Sequence, residues 1–182
     1  MAVRTANEVR PWLAVRDEVA GVLSAVSGDQ MARAKTMLTS VGPRWFCSGQ
    51  GRSGLVAQMI AMRLMHVGFD AHAVGEPTAP SIADGDGLIA ISGSGETPVT
   101  LHIARLALGF GARMLAVTTR ADSTLAGLAN VVIEVPTQAT GQFGGTLFEQ
   151  SALLLIDATV LDLTGGDPRI YAVMKARHTN LQ

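Results

Sequence analysis

Two loops rich in glycine and serine constrain this chain more than any other feature. Ser48-Gly49-Gln50-Gly51-Arg52-Ser53-Gly54 follows the apolar run Trp45-Phe46-Cys47, and Ser92-Gly93-Ser94-Gly95-Glu96-Thr97 follows Gly87-Leu88-Ile89-Ala90-Ile91. Each loop leads into a stretch patterned as a helix. A buried strand, a loop without bulky side chains and a helix N-terminus together form an anion site, because first-turn N–H groups have no intrahelical partner. Two such units in succession predict parallel strands with helices on both faces of the sheet. Ligands of such sheets gather beyond the carboxyl ends of the strands.

The remaining chain continues the alternation. Strands are expected over 45–48, 71–74, 87–91, 114–118 and 131–135, and helices over 54–67, 98–108, 123–128, 147–163 and about 168–176. Ahead of them, 6 to about 41 reads as two helices. Val9, Trp12, Leu13, Val19 and Val22 are the apolar positions of the first, broken by Pro11. Asp29, after Ser27-Gly28, is the expected cap of the second, with Met31, Ala34 and Leu38 facing inward. The expected fold is a single α/β domain, a three-layer α/β/α sandwich around a five-stranded parallel sheet of the flavodoxin or Rossmann kind. Its parts would be N-terminal helices (1–41), an α/β core (42–166) and a C-terminal helix and tail (167–182). A chain of 182 residues fits one domain, and no repeat or linker argues for a second.

Composition removes several classes of function. Charged residues make up 16% of the chain, the net charge is −1 and no Lys/Arg run exists, so nucleic acid is not an expected partner. Aromatic residues, at 4%, are too few for a base-stacking platform. No apolar run approaches the ~18 residues that span a bilayer, and the N-terminus lacks a signal-peptide pattern. Cys47 is the single cysteine, which rules out an internal disulfide and agrees with a reducing, cytoplasmic setting. It reads as a small core residue. The low charge also suits a surface partly covered by partner subunits.

The first loop matches G-x-G-x-x-G at Gly49, Gly51 and Gly54. A dinucleotide fold also places an acid at the end of its second strand. Asp70 precedes that strand and Glu76 comes late, so the pattern leaves open a nucleotide, a sugar phosphate or a turn needed only for close packing. The second loop is more specific. Its hydroxyls on Ser92, Ser94 and Thr97 are expected to converge on one oxyanion, and its glycines let backbone approach closely. Thr97 reads as a helix start, with Pro98 in the first turn. Without a lysine the loop is no P-loop, and the plain alternative is a Ser/Gly turn with a helix cap.

The motif SGSGET after an apolar strand, preceded by GxGRSG, resembles the sugar isomerase (SIS) domain. Further blocks along the chain, in order, resemble the 6-phospho-3-hexuloisomerases: 61–69 (AMRLMHVGF), 74–80 (VGEPTAP), 147–150 (LFEQ) and 177–181 (RHTNL). Gln50 departs from the smaller residue common there. The resemblance implies interconversion of 3-hexulose 6-phosphate and fructose 6-phosphate through a cis-enediol, in the ribulose monophosphate route of formaldehyde fixation. It implies no cofactor or metal, and a homo-oligomer, a tetramer, with sites near subunit interfaces.

Such an isomerase needs one base to carry a proton between adjacent carbons, and a second group to move hydroxyl protons. Glu149 is the candidate base, opening a long helix whose next turn is apolar. Its plain alternative is a first-turn carboxylate facing the helix dipole. His178 is the candidate shuttle, in a short tail that must dock somewhere, or else a surface histidine. Gly51, Arg52 and Ser53, with Ser92, Gly93, Ser94, Gly95, Glu96 and Thr97, are the candidate substrate-binding residues. Glu76 ranks below them. His66, His72 and His102 read as structural or exposed, and no histidine spacing suits a metal. Three rivals stand beside this reading: an arabinose 5-phosphate isomerase, a non-catalytic sugar-phosphate sensor and a dinucleotide-dependent oxidoreductase.

Overall fold

A computed structural model of the chain describes residues 10–42, 44–137 and 140–180. Five parallel strands form one sheet in the order β2-β1-β3-β4-β5. They are β1 (Arg44–Gly49), β2 (Asp70–Ala73), β3 (Gly87–Ile91), β4 (Arg113–Thr118) and β5 (Val131–Glu134). The helices are α1 (Pro11–Ala25), α2 (Gly28–Ser40), α3 (Arg52–His66), α4 (Pro98–Gly109), α5 (Thr124–Leu128), α6 (Thr146–Thr164) and α7 (Pro168–Arg177).

The strands carry apolar side chains on both faces, and the period-two alternation sorts them. Trp45, Cys47, Ile89, Ile91, Leu115 and Val117 join α2, α3 and α6 in the larger core. Phe46, Leu88, Ala90, Met114 and Ala116 meet α4 and Leu125 of α5 on the other face. The three-layer sandwich is therefore as expected, but lopsided. The outer helix α1 packs on α6, and α7 packs on α3. Among the described residues, no helix is long and apolar enough to cross a membrane.

Several local expectations change. Pro11 is the first residue of α1 and does not break it, since a proline there gives up an N–H that has no partner anyway. Trp12 is 66% exposed and stands outside the core. Val9 and Ala6 lie outside the described residues, as do Leu181 and Gln182. Ser27, and not Asp29, caps α2: its hydroxyl accepts the Gln30 N–H, and Asp29 falls in the first turn. β2 runs from Asp70 to Ala73, with Val74 adding one further bond to the Cys47 carbonyl. Cys47 is buried as expected, and burial pushes its thiol far up from the ordinary value.

Candidate active site

Strand order brings the two loops together. From β1 the chain moves outward to β2, then returns to β3 on the other side of β1. This reversal opens a crevice at the carboxyl ends of β1 and β3. The two strands pair directly, with Gly49 opposite Ile91, so the loops that follow them are neighbours.

The first loop is held by close packing. A Cβ at Gly49 would lie 2.5 Å from the Ser53 carbonyl oxygen, so only glycine lets β1 end against the first turn of α3. Gly51 supplies the N-cap of α3. Asp70 sits at the amino end of β2, opposite Arg44, and is bonded to His72 at 2.8 Å. Glu76 turns back to accept the Ala73 N–H at 3.3 Å. Asp70 stands at the wrong end of β2 for a ribose, and Glu76, beyond the carboxyl end, is turned back onto the strand's own backbone.

The second loop is braced from inside. Ser92 is 3% exposed; its hydroxyl accepts the Gly95 N–H at 3.2 Å and lies 2.9 Å from the Thr97 hydroxyl. The expected convergence of three hydroxyls is thus divided: Ser92 shapes the loop, Ser94 is exposed, and Thr97 stands between them. Ser94 Oγ accepts the Glu96 N–H at 3.2 Å, leaving its own proton to donate outward. Among the described residues none accepts from the N–H groups of Gly93, Ser94 or Thr97. Thr97 caps α4 by backbone conformation alone, with Pro98 in the first turn. Gly95 has φ +67°, and a Cβ there would fall 2.1 Å from Ser123 Oγ.

Glu96 puts a negative charge in a loop otherwise suited to anions, and the structure shows where it goes. Its carboxylate accepts the Thr124 N–H at 2.7 Å, at the start of α5. That backbone bond, then the Thr124 side chain and, more weakly, Arg120 hold its pKa below the ordinary carboxylate value. Glu96 therefore fastens the loop to α5 and turns its charge away from the open N–H groups.

α6 completes the site. Its N-cap, Gly145, is left-handed, and Glu149 follows in the first turn. A Cβ on Gly93 would lie 3.2 Å from the Phe148 ring, so the second loop rests on the residue next to Glu149. The Glu149 carboxylate is ion-paired with Arg52 from the start of α3; their side chains are 12% and 61% exposed. Three helix N-termini, those of α3, α4 and α6, with one guanidinium and one largely buried carboxylate, thus surround the two loops. Ser53, half-buried, lies in the same turn of α3.

Two features escaped the sequence. Gln150 Oε1 is buried without a protein partner. Glu18 of α1 accepts three bonds from the loop before α6: from Thr140, from the Gly141 N–H at 3.0 Å and from Gln142 Nε2 at 2.8 Å. A glutamate on a helix over a hundred residues away carries no local signal for that role.

His178 is elsewhere. It caps the end of α7 and stacks on His66, with ring centroids 5.3 Å apart and 14° between planes. His66 ends α3, the helix whose other end holds Arg52. His66 is buried, and burial, then His178 and Arg63, hold its pKa below the ordinary value. His102 is exposed. Among the described residues, no group of three His, Cys, Asp or Glu side chains could hold a metal ion.

Comparison with known proteins identifies the family of this fold. A family model described as the SIS domain matches residues 37–161. A 3-hexulose-6-phosphate isomerase from Mycobacterium gastri is 39% identical over 176 residues, 92% of this chain and 88% of the relative. One from Bacillus subtilis is 40% identical over 146 residues, 75% of this chain and 79% of the relative. A crystal structure from Methanococcus jannaschii, from which a 3-hexulose-6-phosphate isomerase function was inferred, superposes with a TM-score of 0.84 at 26% identity, covering 96% of this chain and 100% of that one.

Proposed function

This chain belongs to the SIS-domain family, and from that membership we propose that it is an isomerase interconverting 3-hexulose 6-phosphate and fructose 6-phosphate. The observation that carries the reading is the position of Glu149, a carboxylate in the first turn of α6, beside the second loop and paired with Arg52. The phosphate sits on the open N–H groups of Gly93, Ser94 and Thr97 and on the Ser94 hydroxyl. Helix N-termini favour a dianion there.

The chemistry follows from the two sugars. In the 3-ketose, Glu149 takes the proton from carbon 2. The electron pair forms the carbon 2–carbon 3 double bond of a cis-enediolate, and the oxygen on carbon 3 becomes the oxyanion. His178 of a second copy, brought to the site by the homo-oligomer, takes the proton from the oxygen on carbon 2 and delivers one to the oxygen on carbon 3. Glu149 returns its proton to carbon 3, and the carbonyl reforms at carbon 2. One carboxylate serves both carbons because they lie on one face of a planar intermediate. Arg52 moves from Glu149 to the developing oxyanion or a sugar hydroxyl, a transfer that its exposed position allows. No step calls for a cofactor.

The chain works as one unit, with α1 and α2 supporting the core and α7 with its tail presenting His178. The unit assembles as a homo-oligomer, a tetramer in the family reading, in the cytoplasm. Carbon NMR of purified protein with fructose 6-phosphate tests the activity. Appearance of the 3-keto sugar is the expected result. Binding without conversion would instead favour a sensor, and conversion only of an aldose 5-phosphate would favour an arabinose 5-phosphate isomerase.

A further inference from the structure

Phe143 is the most exposed large apolar side chain among the described residues, at 91%. It stands on the short stretch that leads into α6, and that stretch is tied down. Glu18 holds Thr140, Gly141 and Gln142 on one side. On the other, the Phe143 carbonyl accepts the Thr146 N–H at 3.0 Å, which joins it to the first residue of α6. A ring that the fold leaves almost bare thus sits on a backbone that the fold fixes at both ends. Single exposed apolar residues are ordinary on a protein surface, so the surroundings of this one decide its use.

Those surroundings include the candidate base. A Cβ on Gly145 would lie 3.4 Å from Glu149 Oε1, so the backbone two residues past Phe143 runs beside the carboxylate. Successive Cα atoms are 3.8 Å apart, which puts the Phe143 Cα at most about 7.6 Å from that of Gly145. A phenylalanine side chain reaches across much of that span. Gly144, between the two, carries no side chain to obstruct the ring, and a Cβ there would meet nothing within 4 Å. The two ligand loops offer no such cover, because neither 48–54 nor 92–97 contains an apolar side chain. The reaction has a use for one. The proton that Glu149 takes from one carbon must reach the next before water replaces it, and a carboxylate shielded from water keeps its proton. A phenyl ring suits that role, since it shields a large area with a rigid apolar surface.

We propose that Phe143 closes over the bound sugar and shuts water out of the site while Glu149 carries its proton. The proposal rests on the isomerase reading, and two measurements keep the two apart. In the first, Phe143→Trp places an indole at the tip, and its emission, taken as the difference from wild type, is followed as fructose 6-phosphate is added. A blue shift at saturation is expected, and it needs binding but no turnover. An emission that the sugar leaves unmoved, with binding still seen by calorimetry, overturns the closure. So does an emission already blue in the free protein and unmoved by sugar, which sets the ring against a second copy instead. In the second, fructose 6-phosphate is converted in deuterium oxide and the reaction is stopped early. Glu149 then delivers to carbon 2 either the proton from carbon 3 or a solvent deuteron acquired in between, and mass spectrometry of the 3-keto sugar counts the two. Phe143→Ala should raise the deuterium fraction several-fold over wild type, and Phe143→Leu, which keeps an apolar side chain, should stay near it. Equal fractions in wild type and Phe143→Ala overturn the exclusion of water. A wild type that converts nothing, while Phe143→Trp still shifts on binding, would sink the isomerase reading and leave the closure standing.

Discussion

Glu149 is mostly withdrawn from water, whereas its partner Arg52 is mostly exposed. Glu149→Gln keeps the shape and removes the base, so turnover should vanish while isothermal titration still detects fructose 6-phosphate; full activity would refute the assignment. Arg52→Gln should raise KM for the sugar phosphate, because the site loses the guanidinium that meets the sugar oxygens. An unchanged KM would show that Arg52 does not contact the substrate. Ser94→Ala removes one hydrogen bond to a charged group and should weaken sugar-phosphate binding by about 1–3 kcal/mol, read as a higher Kd. The exposure of Ser94 was legible because a hydroxyl between two glycines in a loop has little to cover it. Glu96 was not, because its partner Thr124 is 28 residues further along.

At the scale of elements, loops do the positioning and helices anchor them. Glu18 on α1 holds residues 140–142, the approach to α6, through three bonds that keep its pKa below the ordinary value of 4.5. A carboxylate depressed in the folded state stabilises above its unfolded pKa, and that contribution is lost as pH falls through the folded value. The protection factors of the Gly141 and Gln142 amides, taken against the intrinsic exchange rate at the same pH, should therefore fall below about pH 4.5. Glu18→Gln, which leaves an amide against the Gln142 amide, should show fast exchange already at pH 7. Equal protection in both proteins would contradict the latch. Gly95→Ala places a Cβ onto Ser123 at a positive φ and should cost roughly 1–3 kcal/mol in a denaturant melt.

For the whole molecule, the histidine pair links acidity to the docking of α7. Burial, then His178 and Arg63, depress the His66 pKa from its ordinary 6.5. A base depressed in the folded state binds fewer protons than the unfolded chain, so stability falls as pH drops below 6.5 and levels off under the folded value. Wild-type Tm should decline across that window, and His66→Phe should flatten the decline; parallel curves would exclude the pair as the cause. Strands, both glycine loops, the helix starting at Pro98 and the candidate carboxylate were all legible along the chain, because period-two apolar runs, glycine turns and helix-start residues act over a few neighbours. The side of the sheet to which each crossover returned, the inward turn of Ser92, the Arg52–Glu149 pair, the Glu18 anchor and the stacking of His178 on His66 were not. Those depend on residues that meet only after the sheet has ordered its strands, and linear spacing does not encode distance through a folded core.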